Sequence, residues 1–182
     1  MSNIWFKMMA AEFKIRDHFH PRQEIVNEVG LKVGFQVLDY GCGPGGYVPS
    51  VSEAIGTSGT LYALDAMSIA IEMVNKIVAK NELKNVKTIF SDCATGLQNE
   101  ELDVVLLYGV FHDLSDQNAV LNELHRVLKP SGQLSFSDHH MKENDIISKV
   151  TGTGLFKLQK KNKHTYSFTK QKYTVSPTFN NL

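Results

Sequence analysis

The segment Val37-Leu38-Asp39-Tyr40-Gly41-Cys42-Gly43-Pro44-Gly45-Gly46-Tyr47 constrains this chain more than any other part of it. A short apolar run meets an acidic residue, and glycine then occupies positions 41, 43, 45 and 46. Glycines directly after a buried strand permit a tight turn and let a ligand approach the backbone closely. Two patterns overlap: Gly41, Gly43 and Gly46 satisfy G-x-G-x-x-G, whereas Gly41, Gly43 and Gly45 satisfy G-x-G-x-G. The glycines alone do not choose between them, and such a match by itself is weak.

Their neighbours do choose. Asp39 stands two positions before Gly41, where it can orient the loop or accept hydrogen bonds from a cationic amino-acid group. A pyrophosphate would be repelled there. Pro44 removes one backbone N–H from a loop that would otherwise offer donors to phosphates. Asp65, about 20 residues beyond the loop, closes the next apolar run, where a carboxylate can hold both ribose hydroxyls. Asp92, in Ser91-Asp92-Cys93-Ala94, stands just past a third run and can accept from an adenine amino group. Each carboxylate could instead cap the helix that follows it. Three of them at one sheet edge by accident is the less economical reading.

The rest of the chain alternates short apolar runs with longer amphipathic ones. Gln36–Asp39, Thr60–Asp65, Val86–Phe90, Asp103–Tyr108 and Gln133–Ser137 read as strands, and near-continuous apolar runs suit a parallel sheet covered on both faces. Between them Met67–Lys80 aligns Ile71, Val74 and Val78. Asp116–Leu128 aligns Val120, Leu124, Val127 and Leu128, with Ser115 as the expected N-cap and Pro130 past the end. This β-α-β-α rhythm predicts right-handed crossovers in a parallel sheet. After a helix over Glu143–Val150, Leu155–Gln159 and Tyr166–Thr169 flank Asn162-Lys163-His164 as an antiparallel hairpin.

Several function classes are disfavoured by composition. Lys plus Arg and Asp plus Glu number 19 each, so no global charge points to nucleic acid or an anionic membrane. The basic run Lys157 to Lys163 reads as a solvated hairpin edge, since edge lysines block unwanted strand pairing. Cys42 and Cys93 lack metal-ligand spacing and predict a reducing, cytoplasmic setting without a disulfide framework. The apolar residues near the N-terminus are too interrupted for a signal-peptide core, and no run reaches the roughly 18 apolar residues of a membrane span.

In combination these segments resemble the class I S-adenosylmethionine-dependent methyltransferases. The resemblance runs from about Gln23 to Thr169 and rests on Asp39 to Gly45, on Asp65 and on Ser91 to Ala94. It also rests on Asp103-Val104-Val105 leading into Val110-Phe111-His112-Asp113-Leu114, and on Glu123 to Gly132. The last segment is similar to the small-molecule branch that includes quinone-biosynthesis methyltransferases. The resemblance implies a Rossmann-like α/β three-layer sandwich, its seven-stranded, mostly parallel sheet in the order 3-2-1-4-5-7-6 with strand 7 antiparallel. It implies S-adenosylmethionine as cofactor, surrounded by Asp39, Tyr40, Gly41, Cys42, Gly43, Asp65, Ala66, Asp92, Cys93 and Tyr108. A methyltransferase domain over 21–170 would then follow an N-terminal helical lid at 1–20 and precede a tail at 171–182. The first segment, with Trp5, Phe6, Met8, Met9 and Phe13, could cover the site, pack on the sheet or join two copies in a homodimer.

Methyl transfer from a sulfonium depends mainly on alignment, and needs a base only when the acceptor must lose a proton. His112, after the fourth strand, and His139, after the fifth, are the candidate bases, with His112 preferred; either could equally be a loop histidine. Tyr108 stands where metal-dependent relatives carry an acidic residue, so no metal is expected. The acceptor is expected to be a small oxygen or carbon nucleophile. Two other readings remain: an NAD-dependent oxidoreductase, allowed by G-x-G-x-x-G, and a non-catalytic cofactor-binding protein of the same fold.

Overall fold

In a computed structural model of the chain, residues 22–171 are described. The expected lid at 1–20, and the expected tail beyond residue 171, lie outside the described residues. Five α-helices occur among them: α1 (Arg22–Val29), α2 (Val48–Ile55), α3 (Ser68–Lys80), α4 (Gln117–Val127) and α5 (Glu143–Gly152). The strands are β1 (Gln36–Tyr40), β2 (Thr60–Asp65), β3 (Val86–Phe90), β4 (Leu102–Tyr108), β5 (Leu128–Ser137), β6 (Phe156–Lys161) and β7 (Tyr166–Lys170). They form one sheet in the order β3-β2-β1-β4-β5-β7-β6. Strands β1 to β5 pair in parallel, and β7 is antiparallel to both β5 and β6. Order and sense are those that the resemblance implied.

Alternation along the strands builds two cores. Val37, Leu61, Ala63, Val104 and Leu106 pack on one face with α1, α2 and α3. Leu38, Leu64, Val105, Leu107, Leu134 and Phe136 pack on the other with α4 and α5. Because both faces are covered, every position of a central strand must be apolar, which explains the unbroken run in β4. Beyond the central strands, β6 is the outer edge and Lys157, Lys160 and Lys161 on it are exposed. The basic run is a solvated edge.

Two details differ from the sequence reading. The N-cap of α4 is Asp116, whose Oδ1 accepts from Ala119 N at 2.8 Å, and not Ser115. A carboxylate at that position also faces the positive end of the helix dipole. Second, β5 begins at Leu128 rather than Gln133. Leu102 pairs with Leu128 but Val104 pairs with Gln133, so the Pro130-Ser131-Gly132 turn bulges out within the strand. A Cβ on Gly132 would lie 2.8 Å from Leu128 Cδ2 and 3.0 Å from Lys129 O, and this crowding excludes a side chain.

Phe136 joins the elements of its core, being fully buried with ring centroids 5.2 Å from Phe111 and 6.3 Å from Phe168. Phe136→Ala should cost about 3–5 kcal/mol of stability. Urea unfolding should show this as a lower midpoint with an unchanged slope.

Candidate active site

Strand β1 pairs with β2 on one flank and with β4 on the other. Growth of the sheet therefore reverses at β1, and open α/β sheets bind ligands in the crevice at such a switch point. The glycine loop leaves β1 there. Gly41, Gly43 and Gly45 have φ of +76°, +52° and +79°, a region that side chains resist. Gly41 N and Cys42 N both donate to Leu64 O, at 2.8 and 2.9 Å, which closes the turn against β2. A Cβ on Gly41 would come within 2.8 Å of Val110 Cγ1, so the loop after β4 is seated on the loop after β1.

Asp39 is 2% exposed, and its Oδ2 has no hydrogen-bond partner among the described residues. Burial raises its carboxyl to about 7; the Arg22 guanidinium opposes the shift and the Asp65 charge adds to it. Arg22 opens α1 and stacks over the Tyr47 ring at 5.0 Å from its centroid. Its guanidinium also lies against Gly46, in the space a Cβ would need.

Asp65 links two elements. Its Oδ2 accepts from Gly43 N at 2.9 Å and its Oδ1 from Met67 N at 2.8 Å, which joins the glycine loop to the start of α3. Burial raises its carboxyl nevertheless. An ionised carboxylate has about four lone-pair sites, so acceptor capacity remains beyond these backbone bonds. Ala66 beside it is exposed.

Asp92 and Cys93 stand on the loop after β3. The Asp92 carbonyl accepts from Tyr40 Oη at 2.8 Å. Glu123 on α4 pins the same loop by accepting from Thr95 N and Oγ1, at 2.9 and 2.6 Å. Arg126 donates to Glu123 through Nε and Nη2, both at 2.7 Å, and through Nη1 to Leu97 O at 2.9 Å. Arg126 above all, then Thr95, holds the Glu123 carboxyl down to about 2. Through Glu123 and Arg126, the Glu123–Gly132 segment fixes the loop that carries Asp92.

The remaining candidates separate. The Tyr40 ring and the Cys42 side chain are buried in opposite cores, so side-chain chemistry at the loop falls to Asp39 and Asp65. Tyr108 ends β4 with its hydroxyl 2.7 Å from Ser135 Oγ and its ring 5.2 Å from that of Tyr47. Burial pushes its phenol far up, which suits a wall and not a base. His112 is three-quarters buried, with Nδ1 2.9 Å from Asp138 Oδ2. His139 is exposed, and His140 lies between the two, 4.4 Å from His112 and 4.0 Å from His139 by ring centroids. Among the described residues no three His, Cys, Asp or Glu side chains gather as metal ligands.

Sequence reasoning missed Arg22, Tyr47 and the partnership of Asp138 with His112. Arg22 and Tyr47 belong to short helical starts without a periodic signal. Asp138 was legible by the rule that picked out Asp39 and Asp65, since it too is an acidic residue where a strand ends.

A family profile described as "Methyltransferase domain" matches residues 31–176. The chain belongs to this methyltransferase family, and its sheet order is that of the class I S-adenosylmethionine-dependent members. It is 26% identical over 130 residues to a demethylmenaquinone methyltransferase from Geobacillus sp. (strain WCH70), covering 71% of this chain and 56% of that protein. An enzyme of the same name from Staphylococcus saprophyticus is 30% identical over 114 residues, covering 62% and 48%. The chain thus spans about half the length of these relatives. The crystal structure of a SAM dependent methyltransferase from Aquifex aeolicus superposes with a TM-score of 0.75 at 25% identity, covering 85% of this chain and 91% of that one.

The electrostatics of Asp39 predict a pH dependence. Its carboxyl stands at about 7 against an ordinary 3.8, so the folded state holds this proton more tightly than the unfolded state does. Its contribution to stability therefore falls as pH rises from about 4 to about 7. Asp39→Asn removes that slope. Relative to wild type, the variant should gain up to about 4 kcal/mol across this interval, read from urea unfolding at stepped pH. A constant difference would refute the burial of this charge.

Proposed function

We propose that this chain transfers a methyl group from S-adenosylmethionine to an oxygen or carbon nucleophile on a small molecule in the cytoplasm. The observation that carries the reading is the buried Asp39 carboxylate, with one unpartnered oxygen beside three left-handed glycines. A cationic amino-acid group supplies the partner that this oxygen lacks. A pyrophosphate would meet a negative charge there, and Pro44 withholds one of the N–H donors it needs. The residues present fit the sulfonium cofactor and disfavour a dinucleotide.

When bound, the cofactor supplies an electrophilic methyl carbon. Asp39 accepts from its ammonium group, Asp65 receives the ribose hydroxyls, and Asp92 on its pinned loop receives the adenine amino group. Gly41, Cys42 and Gly43 allow close backbone approach, Ala66 and Cys93 flank the two carboxylates, and Tyr108 with Tyr47 forms an aromatic wall beside the loop. The relatives are named for a quinone, and we take the acceptor to be its two-electron-reduced quinol, delivered already reduced, whose hydroxyl must lose a proton as the ring becomes nucleophilic. His112 takes that proton. It is favoured over His139 because its ring is fixed by a buried carboxylate, whereas His139 is exposed. The proposed division is a lid or dimer contact at 1–20, a catalytic domain at 21–170 and a tail at 171–182. No described helix is long and apolar enough to cross a membrane.

Calorimetry should show that S-adenosylmethionine and S-adenosylhomocysteine bind and that NADH does not compete. Tight NADH binding with no heat from S-adenosylmethionine would overturn the reading. With a quinol acceptor, His112→Ala should lower turnover by about 10²–10⁴-fold while cofactor affinity stays nearly constant. The variant should also lose the acidic limb of the wild-type rate profile. Full turnover with an unchanged profile would make His112 structural.

A further inference from the structure

We infer that Asp138 is a positioning residue for His112, holding the imidazole with Nδ1 protonated and Nε2 as the proton acceptor. The inference rests on the reading of His112 as the base. Strands β4 and β5 are neighbours, and Tyr108 pairs with Ser137 at their carboxyl ends. Gly109 N donates to Ser137 O at 2.7 Å, so the two loops that follow leave the sheet side by side. His112 and Asp138 stand on these two loops.

The Asp138 side chain has no solvent exposure. Its Oδ2 accepts from His112 N at 3.1 Å and lies 2.9 Å from His112 Nδ1. Its Oδ1 accepts from His140 N at 3.1 Å. Two backbone donors already point at the carboxylate, and an ionised carboxylate can only accept. The contact with the ring therefore requires Nδ1 to carry the hydrogen, which leaves the lone pair of the neutral imidazole on Nε2. Because the same oxygen holds the backbone and the ring of one residue, it restricts rotation of the side chain as well as its tautomer. The His140 ring, 4.4 Å away, packs against the imidazole.

Nε2 is the nitrogen turned away from the buried partner. Asp113 also brings a carboxylate oxygen to 3.3 Å from Nε2, but that side chain is 78% exposed and makes no hydrogen bond to the ring, so solvent screens it and the buried Asp138 bond decides which nitrogen carries the hydrogen. Asp138 therefore acts on both nitrogens: it occupies one, and by occupying it makes the other basic. A carboxylate that only stapled the two loops would need the backbone bonds to His112 and His140, and no bond to the ring.

Two measurements separate this role from a purely structural one. Nitrogen NMR of the wild-type protein, without ligand and above the imidazole titration, should show His112 as the Nδ1–H tautomer. The Nε2–H tautomer would overturn the inference, whatever the activity. The second is a double-mutant cycle on turnover, with S-adenosylmethionine as donor and 1,4-naphthoquinol as acceptor. Asp138→Asn should lower turnover by about 10²-fold, approaching His112→Ala, and leave cofactor affinity unchanged by calorimetry. Added to His112→Ala, it should cost nothing further, because the residue acts through the imidazole. Losses that multiply would show a structural role and overturn the inference. Impaired His112→Ala beside unimpaired Asp138→Asn would sink this inference alone, while unimpaired His112→Ala would sink the base reading beneath it. If Asp138→Asn fails to fold or naphthoquinol is not turned over, the wild-type tautomer still decides.

Discussion

Val110 occupies the space that a side chain on Gly41 would need, and the site depends on that contact. It brings the loop after β4 onto the loop after β1, across the point where the sheet reverses its growth. The same stretch of backbone is approached from two further directions. A Cβ on Gly45 would lie 2.9 Å from Val74 of α3, and one on Gly46 would collide with the Arg22 guanidinium of α1. The loop after β4, a long helix and a short helix thus converge on glycines because glycines leave them room. Gly43 differs: a Cβ there would meet nothing within 4 Å, and its φ of +52° is what favours glycine. The loop is open on the side of Gly43.

Two carboxylates of opposite character separate the scaffold from the proposed site. Glu123 is fully engaged by Thr95 and Arg126, and its carboxyl is held down to about 2. Its ionised form therefore stabilises the fold, and that contribution is lost as pH falls from about 4.5 to about 2. Asp39 is buried with an oxygen that has no hydrogen-bond partner among the described residues; burial, with the Asp65 charge adding to it, raises its carboxyl to about 7. The free chain is less stable for it. Such a local cost belongs to functional sites, where a missing partner is supplied by the ligand. The two acidic residues lie on either side of one division of labour: Glu123 fixes the loop bearing Asp92, and Asp39 waits at the end of β1.

Much of this was legible in the sequence because burial on both faces of a parallel sheet leaves an unmistakable trace. Val104 to Leu107 must be apolar at consecutive positions, and Asp39 and Asp65 stand out as acidic residues at or near the carboxyl ends of such runs. Short helices leave a weaker trace. Arg22 opens α1 and Tyr47 precedes α2, so neither belongs to the buried stripe of its eight-residue helix and periodicity does not mark them. The irregular pairing of β5 was hidden because Pro130-Ser131-Gly132 reads as a turn before a strand, and only the register of Leu128 against Leu102 places it inside one. Contacts between distant loops were hidden for another reason. Nothing local in His112 or Asp138 records that their strands are neighbours; the pairing of β4 with β5 creates that proximity.

The antiparallel β7 extends the same logic to the far side of the site. Because β7 runs against β5, Tyr166 pairs with Phe136 and the hairpin tip at residues 162–165 rises at the carboxyl edge of the sheet. A parallel strand would have put its preceding loop at the opposite edge. At the tip, Glu28 of α1 accepts from His164 N and from Thr165 Oγ1, at 3.1 and 2.9 Å. Glu24, one turn earlier, accepts from Lys163 Nζ at 3.3 Å. These bonds join segments 136 or more residues apart and anchor α1 beside the crevice, with Val26 and Val29 buried against the sheet. Arg22, at the start of this anchored helix, is thereby carried to Tyr47 and Gly46. Asp65 ties the glycine loop to α3 from one direction. From another, the hairpin that sets this sheet apart from a plain parallel nucleotide-binding domain holds α1 against the same loop, and a reaction that depends on alignment gains from a loop fixed on both flanks.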